Sequence, residues 1–543
     1  MIESPSSSRI LDTAVKTQEV QPESASVDRS NGLPQGLPNG GPNGLPNFPP
    51  RNILFVSSEV YPYAKTGGLA DVSSALPQML REFNHDVRLI MPKYGFIGER
   101  KQKIHIINRL QGIDVAVGDK EVIVSAKSSA ILTQRTRVQI YLVESEEYFQ
   151  RPGLYLDPAT NKDYPDNDER FMVFAQSIFE TCKRLLWKPE IIHCNDWQTG
   201  LIPAYLKTKY KDDPFFAGTK TVFTIHNQAY QGNFPAASFA KSGLPQEMFN
   251  PNGSEFFGQF SFLKTGLAYA DAITTVSPTY AEEIRTPAYG CGLEGLLTKR
   301  KKDLHGILNG IDLAVWDPEK DTNIVKNYSV ANLDNKEECK RDLCVTMGIP
   351  YQRGTPVIGL IARFSDQKGL DLIAESMDNI LKSGAQLLVV GSGDTKYEEL
   401  FAKLNKKHPT QVGTYLGFHD NFAHKIEAGA DMFIMPSAYE PCGLNQMYSM
   451  HYGTVPVVRA TGGLADTVID LENGTRKNPA TGFTFEKYDA KAFWKALERA
   501  ITVYKKDQKT WRELQLAGMT RDFSWTRSGI SYAELYEKLL KKQ

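Results

Sequence analysis

Residues 53–77, ILFVSSEVYPYAKTGGLADVSSALP, decide how the chain folds. The stretch opens on Ile53–Val56 with no polar alternation, as a strand covered on both faces requires. Gly67 and Gly68 then break the chain, and Leu69–Leu80 begins a helix. Strand, glycine turn and helix in that order point to an α/β sheet with parallel strands.

Outward from there the pattern repeats. ILFVSS (53–58), VRLIMP (87–92), VQIYLV (138–143), EIIHCN (190–195), TVFTIHN (221–227) and AITTVS (272–277) read as buried parallel strands. A second series follows in VIGLIAR (357–363), QLLVVGSG (386–393), TYLGF (414–418), MFIMPS (432–437) and VPVVRA (455–460). Two such series predict an α/β fold of two doubly wound, Rossmann-like domains, 51–304 and 305–520, with a break near 305–335. The segment 521–543 carries a last amphipathic helix around YAELYEKLL (532–540).

Composition narrows the function. The 543 residues exceed what one core usually organises. Lys plus Arg and Asp plus Glu both number 63, so there is no basic excess of the kind nucleic-acid or membrane-surface binding requires. Cys182, Cys194, Cys291, Cys339, Cys344 and Cys442 form no CxxC pair and no metal-ligand spacing, and read as reduced thiols in the cytoplasm. No bilayer-spanning run and no secretory signal is expected. Residues 1–50 end in GLPQGLPNGGPNGLPNFPP and predict a disordered tail. A plastid transit peptide is the alternative, opposed by Glu3, Asp12, Glu19, Glu23 and Asp28.

Ligands of doubly wound sheets sit at the carboxyl ends of the strands. There, Lys65 beside Gly67–Gly68 and a helix start makes an anion site, although glycine pairs also occur in plain turns. Arg363 and Lys368, on one strand-to-helix loop, suit a diphosphate leaving group; alone, such a pair is more often a solvated basic turn. Glu440 follows another strand and can hold sugar hydroxyls, or serve as an N-terminal helix charge. His226 can donate to a sugar hydroxyl or to developing charge, and Asp196 can meet an acceptor hydroxyl, with Trp197 in the core. His193, His305 and His451 receive no role. Asp166-Asn167-Asp168 has the DxD form of some metal-binding sugar transferases but reads as helix capping. GSGDTK (391–396) lacks the third glycine of a dinucleotide loop, and ATGGLADTV (460–468) repeats the first glycine turn as one local solution used twice.

In this order, KTGGLADV, HCNDW, TIHN, LNGID (308–312), ARFSDQKG, VGSGD, SAYEPCGL and TGGLADTV resemble the bacterial and plant glycogen/starch synthase family over roughly residues 51–540. The resemblance implies a GT-B fold, two Rossmann-like domains facing across a cleft, with a C-terminal helix crossing back to the first. It implies transfer of glucose from ADP-glucose to an α-1,4-glucan with retained configuration, without metal or other cofactor. Lys65, Gly67, Gly68 and Asp71 match the nucleotide-sugar loop, and Arg363 and Lys368 the diphosphate cations. Glu440 and His226 match groups at the transferred glucose, Asp196 an acid of the cleft, and Asn309 a donor-site amide. Gly391, Cys442, Gly443, Leu444, Thr461, Gly462 and Gly463 fall in the donor motifs, and Phe418 where relatives stack an aromatic on adenine. Other readings are a sucrose synthase-like or trehalose-forming transferase, a non-catalytic glucan-binding protein, and an NAD oxidoreductase; a phosphorylase lacks its pyridoxal phosphate lysine context.

Overall fold

The computed structural model describes residues 45–133, 135–417 and 419–541. Its first sheet contains β1 (Asn52–Val56), β2 (Asp86–Pro92), β3 (Lys120–Leu132), β4 (Arg137–Glu144), β5 (Ile191–Asn195), β6 (Lys220–Ile225), β7 (Ala272–Thr275) and β8 (Leu304–Gly306). They lie in the order β8-β7-β6-β5-β1-β2-β4-β3. All neighbours are parallel up to β4, and β3 runs antiparallel to it. The second sheet, β9 (Val357–Phe364), β10 (Gln386–Gly393), β11 (Val412–Leu416), β12 (Met432–Met435), β13 (Val455–Arg459) and β14 (Phe483–Phe485), is parallel throughout in the order β11-β10-β9-β12-β13-β14.

Both orders reverse at one point. The chain leaves β1 toward β2 and returns to lay β5 on the other side; it leaves β9 toward β10 and returns with β12. The loops that diverge at such a point leave a crevice at the carboxyl ends of the strands. β1 and β9 therefore aim their following loops at two candidate pockets.

Burial on both faces explains the apolar strands. Along β9 and β10, Ile358, Leu360, Leu387 and Val389 join one hydrophobic cluster, while Val357, Leu388 and Val390 join the cluster on the opposite face. Several strands end earlier than their apolar runs suggest. Beyond Ile225, the His226 amide turns to the Asp196 carboxylate instead of a neighbouring strand. The antiparallel β3 carries no buried apolar run; its burial alternates, since one face meets solvent.

At its amino end the described chain also departs from the composition. Leu45 and Phe48 pack on the first core, with the Phe48 ring 5.6 Å from that of Phe83, so order precedes residue 51. Residues 1–44 lie outside the described residues.

Two helices tie the first sheet together. α1 (Gly68–Glu82) follows β1. The last long helix, Trp525–Lys541, returns to lie against it, burying Trp525, Ile530, Tyr532, Tyr536 and Leu539 in the first core. Tyr536 bonds His193 Nδ1 at 2.7 Å, and Glu537 takes the Arg51 guanidinium at 2.6 Å. Gly529 permits the close approach: a Cβ there would lie 2.7 Å from Met79 Cγ. Gly529→Leu is expected to cost about 1–3 kcal/mol by overpacking, read as a lower urea midpoint. Glu534→Leu, on the exposed side of the same helix, should leave the midpoint unchanged.

Candidate active site

After β1 the chain buries Ser57, Ser58 and Glu59. The Glu59 carboxylate accepts from the Thr66 amide at 2.5 Å, Thr66 Oγ1 at 2.6 Å and Tyr155 Oη at 2.8 Å, and from the Gly67 amide. Burial pushes its pKa up against these donors. The Gly67 N–H, expected to be offered to an anion, is thus already taken. What remains is the start of α1, which has no capping side chain. At Gly67 an added Cβ would meet nothing within 4 Å, and at Gly68 only Leu444 Cδ1 at 3.8 Å, so both glycines border open space. Lys65 stands beside it, paired to Asp71 at 2.8 Å. Burial raises the Asp71 carboxyl and Lys65 lowers it again.

Asp196 follows β5 with φ +56 and ψ 179, a combination essentially confined to glycine. Its carboxylate receives the backbone amides of His226, at 2.7 Å, and Asn227. Burial pushes this carboxyl up to about 7. Asn195 Nδ2 donates to Val56 O at 3.0 Å, which leaves Asn195 Oδ1 to accept from His226 Nε2 at 2.9 Å. Desolvation lowers the His226 pKa to about 3, so the ring is neutral, with its proton on Nε2. Its free Nδ1 is therefore an acceptor, where donation to a sugar had been expected. Trp197 is core, edge-on to Phe171.

On the second sheet, the loops after β9 and β12 close on each other. Gly369 has φ +67, and a Cβ there would lie 2.1 Å from Pro436 O. Only glycine lets the loops come this close. Lys368 Nζ then reaches Glu440 Oε2 at 2.7 Å, and Ser437 Oγ donates to the same oxygen at 3.0 Å. Arg363, largely exposed, donates to Tyr230 Oη of the first half at 3.0 Å.

The two TGGLAD segments are not one solution used twice. At Gly462 a Cβ would meet Glu440 O at 1.9 Å, and at Gly463 Cys442 O at 2.1 Å, so this pair exists for backbone packing. The Gly462 amide and Thr461 Oγ1 are bound by Glu283 of the first half, at 3.0 and 2.8 Å. Gly391 is also a packing residue, its Cβ position 2.0 Å from Ala362 O. Cys442 is buried, its thiol pushed up to about 12, and receives hydrogen bonds from the Asn309 backbone and side chain. Asn309 Oδ1 is buried without a partner. Gly443, at φ +69, precedes Leu444, which faces Gly68. Phe418 lies outside the described residues.

Two expected residues are placed elsewhere. Asp166 stands at the N-cap of the helix Asn167–Leu185 but makes no capping bond, because both its oxygens go to Arg151 at 2.7 and 2.6 Å. Asp168 pairs with Lys241 at 3.2 Å. Among other residues of the cleft, Tyr230 and Glu283 carried no sequence signal, while Asp466, the acid of the second TGGLAD segment, accepts from the Thr279 amide and hydroxyl at 3.0 and 2.6 Å. Arg459, at the end of β13, donates to Ala438 O and to Tyr289 Oη. Its position after an apolar strand matches that of Arg363, the one clue available.

Known proteins are similar to this chain in sequence and fold. The starch synthase catalytic domain profile matches residues 52–299, and that of the group 1 glycosyl transferases residues 350–513. A glycogen synthase of Desulforudis audaxviator (strain MP104C) is 44% identical over 503 residues, covering 91% of this chain and 97% of the relative. One from Anaeromyxobacter dehalogenans (strain 2CP-C) is 46% identical over 488 residues, 90% of this chain and 99% of the relative. The catalytic domain of starch synthase IV from Arabidopsis thaliana, bound to ADP and acarbose, is similar at a TM-score of 0.84. It is 30% identical, with 91% of this chain and 100% of that one covered.

The raised Asp196 carboxyl carries a stability signature. Its folded pKa of about 7 lies above the ordinary 3.8, so folding takes up a proton between these values and the ionised form costs stability above them. Asp196→Asn keeps an acceptor for the two amides. The variant is expected to match the wild type near pH ~4 and to exceed it progressively up to pH ~8, by at most about 4 kcal/mol. Urea unfolding across that range measures it, and a difference independent of pH would contradict the assignment.

Proposed function

The chain belongs to the glycogen and starch synthase family, and we propose that it transfers glucose from ADP-glucose to the non-reducing end of an α-1,4-glucan with retention of configuration. The observation that carries this reading is the position of Arg363 and Lys368 at the switch point of the second sheet, with Glu440 2.7 Å from Lys368 Nζ. Two cations and a carboxylate gathered at adjoining strand ends, Arg363 at the end of β9 itself rather than in the loop after it, are what recognition of a glycosyl diphosphate requires.

Each residue then has a task. The diphosphate lies between Arg363, Lys368 and the uncapped first turn of α1, where Lys65 exchanges Asp71 for a phosphate oxygen. Lys368 has three donors, so it holds phosphate while still bonding Glu440. Glu440 receives glucose hydroxyls, and His226 Nδ1 accepts from another. Asn309 Oδ1 gains a partner when a donor hydroxyl reaches it, which removes the cost of an orphaned acceptor. Gly443 and Leu444 border the donor from the second half. Thr461, Gly462, Gly463, Gly391 and Cys442 serve by shaping the loops. Asp196 lies on the acceptor side, in the first domain, and the second domain holds the nucleotide. The six cysteines are free thiols, five of them buried, in keeping with a cytoplasmic setting.

The reaction breaks the bond from glucose C1 to the diphosphate oxygen and forms one from C1 to the glucan O4 on the same face. Negative charge grows on the departing ADP, where Arg363 and Lys368 stabilise it. The proton of the glucan 4-hydroxyl passes to an oxygen of the leaving phosphate. No residue forms a covalent intermediate.

Incorporation of labelled glucose into glycogen, with ADP-glucose and UDP-glucose compared under chelation, tests the reading. Faster incorporation from ADP-glucose, undiminished by chelator, is expected, and none from either donor overturns it. Lys368→Ala should lower kcat by about 100-fold or more with a smaller change in KM, because the charge it meets develops in the transition state. Unchanged turnover would remove Lys368 from the leaving-group site.

A further inference from the structure

A second polar cavity opens at the other end of the first sheet. It measures about 410 Å³ and is lined by Arg81, Asp86, Arg88, Arg109, Arg137 and Tyr141, among others. Arg88 pairs with Gln139 across β2 and β4. Residues two apart share a face, so Asp86, Arg88, Arg137 and Tyr141 stand on one face of the sheet near the amino ends of the two strands. The cleft lies beyond their carboxyl ends. Arg81 is added by the last turn of α1, and Arg109 by the short turn Asn108–Leu110.

Charge in this cavity does not balance. Asp86 is its only acidic lining residue, and it is already engaged: Arg81 Nη1 donates to it at 3.1 Å, Arg88 Nη2 at 3.4 Å and Trp187 Nε1 at 2.8 Å. Arg88 also donates to Tyr141 Oη at 3.2 Å and lies 4.3 Å over the Trp187 ring, which fixes its direction. Arg109 and Arg137 are exposed and have no acidic partner in an ion pair among the described residues. Four guanidinium groups against one carboxylate repel one another, a cost that an anion in the cavity would reverse. Folding alone does not call for them, since this sheet face needs only polar residues to meet water.

We propose that this cavity binds a small phosphorylated ligand. Guanidinium forks match phosphate oxygens two at a time, and a preset Arg88 with two uncommitted arginines supplies that geometry. Tyr141 and Gln139 offer hydroxyl and amide groups to the remainder of the ligand. The volume is in the range of sites for small molecules. A neutral glucan chain gains nothing from four positive charges. The proposal does not rest on the chemistry assigned to the cleft.

The test is calorimetric titration of the full chain with inorganic orthophosphate, inorganic pyrophosphate and a hexose monophosphate, each repeated with Lys368→Ala, whose cleft has lost a phosphate-binding cation, so that heat from the cleft is recognised by its loss. At least one probe is expected to bind, and the strongest of the three identifies whether free phosphate or a phosphosugar is the source. In the double variant Arg109→Gln/Arg137→Gln its affinity should fall about tenfold or more, roughly 1.4 kcal/mol. Both side chains are exposed, so the melting temperature should hold, and glucose transfer from ADP-glucose, with no other phosphate compound added, should stay within about twofold. No binding heat from any probe, or equal affinity in the double variant, overturns the proposal. A loss of transfer activity in the wild type would count against the cleft reading alone.

Discussion

Carboxylates that bind backbone amides hold the cleft together. Where a chain leaves a parallel strand, its amides lose their ladder partners and must find others. Glu59 takes those of Thr66 and Gly67, Asp196 those of His226 and Asn227, and Glu283 that of Gly462. Burial raises the pKa of all three, which measures what their desolvation costs. In return the loops have one shape. The uncapped start of α1, the neutral His226 ring and the second glycine pair all take their direction from these acids.

Two kinds of contact join the halves, and they differ in strength. The last helix is apolar glue: its tyrosines, Trp525 and Leu539 sit in the first core. Across the cleft, hydrogen bonds join Arg363 to Tyr230, Arg459 to Tyr289, Thr279 to Asp466 and Thr461 to Glu283, beside apolar contacts such as Val276 in the cluster of Leu464 and Val468. Each of these hydrogen bonds involves an ionised group and contributes about 1.5–3 kcal/mol net, because water replaces it when the halves part. A donor entering the cleft can exchange them for its own charge-assisted bonds, while the helix keeps the halves connected. This is the division of labour that a GT-B enzyme closing on its substrate requires.

Glycine does three jobs within a few residues of the site. Gly67 and Gly68 leave room, Gly463 admits a neighbouring backbone, and Gly369 and Gly462 do so while also adopting positive φ, +67 and +45. Identical letters, TGGLAD, thus serve opposite ends. The first copy borders open space, and the second is filled by the loop that carries Glu440.

By itself the sequence determined the sheets, because a strand buried on both faces must be apolar along its length. Ile53–Val56, Val357–Leu360 and Leu387–Val390 announce themselves without help from the rest of the chain. It also placed Lys65, Arg363, Lys368 and Glu440 at strand ends, since chemistry in such folds gathers there. The partners were decided only by tertiary structure. Glu283 closing on Gly462 and Lys368 on Glu440 join residues 179 and 72 positions apart. No local spacing encodes distances of that order. Asp166 looked like a helix cap until Arg151 arrived from a separate loop with a stronger, two-pronged bond. The His226 tautomer likewise waited on Asn195, whose amide direction is set by a carbonyl of β1. Periodicity is a property of neighbours along the chain; the protonation and reach of a side chain belong to whatever the fold brings against it.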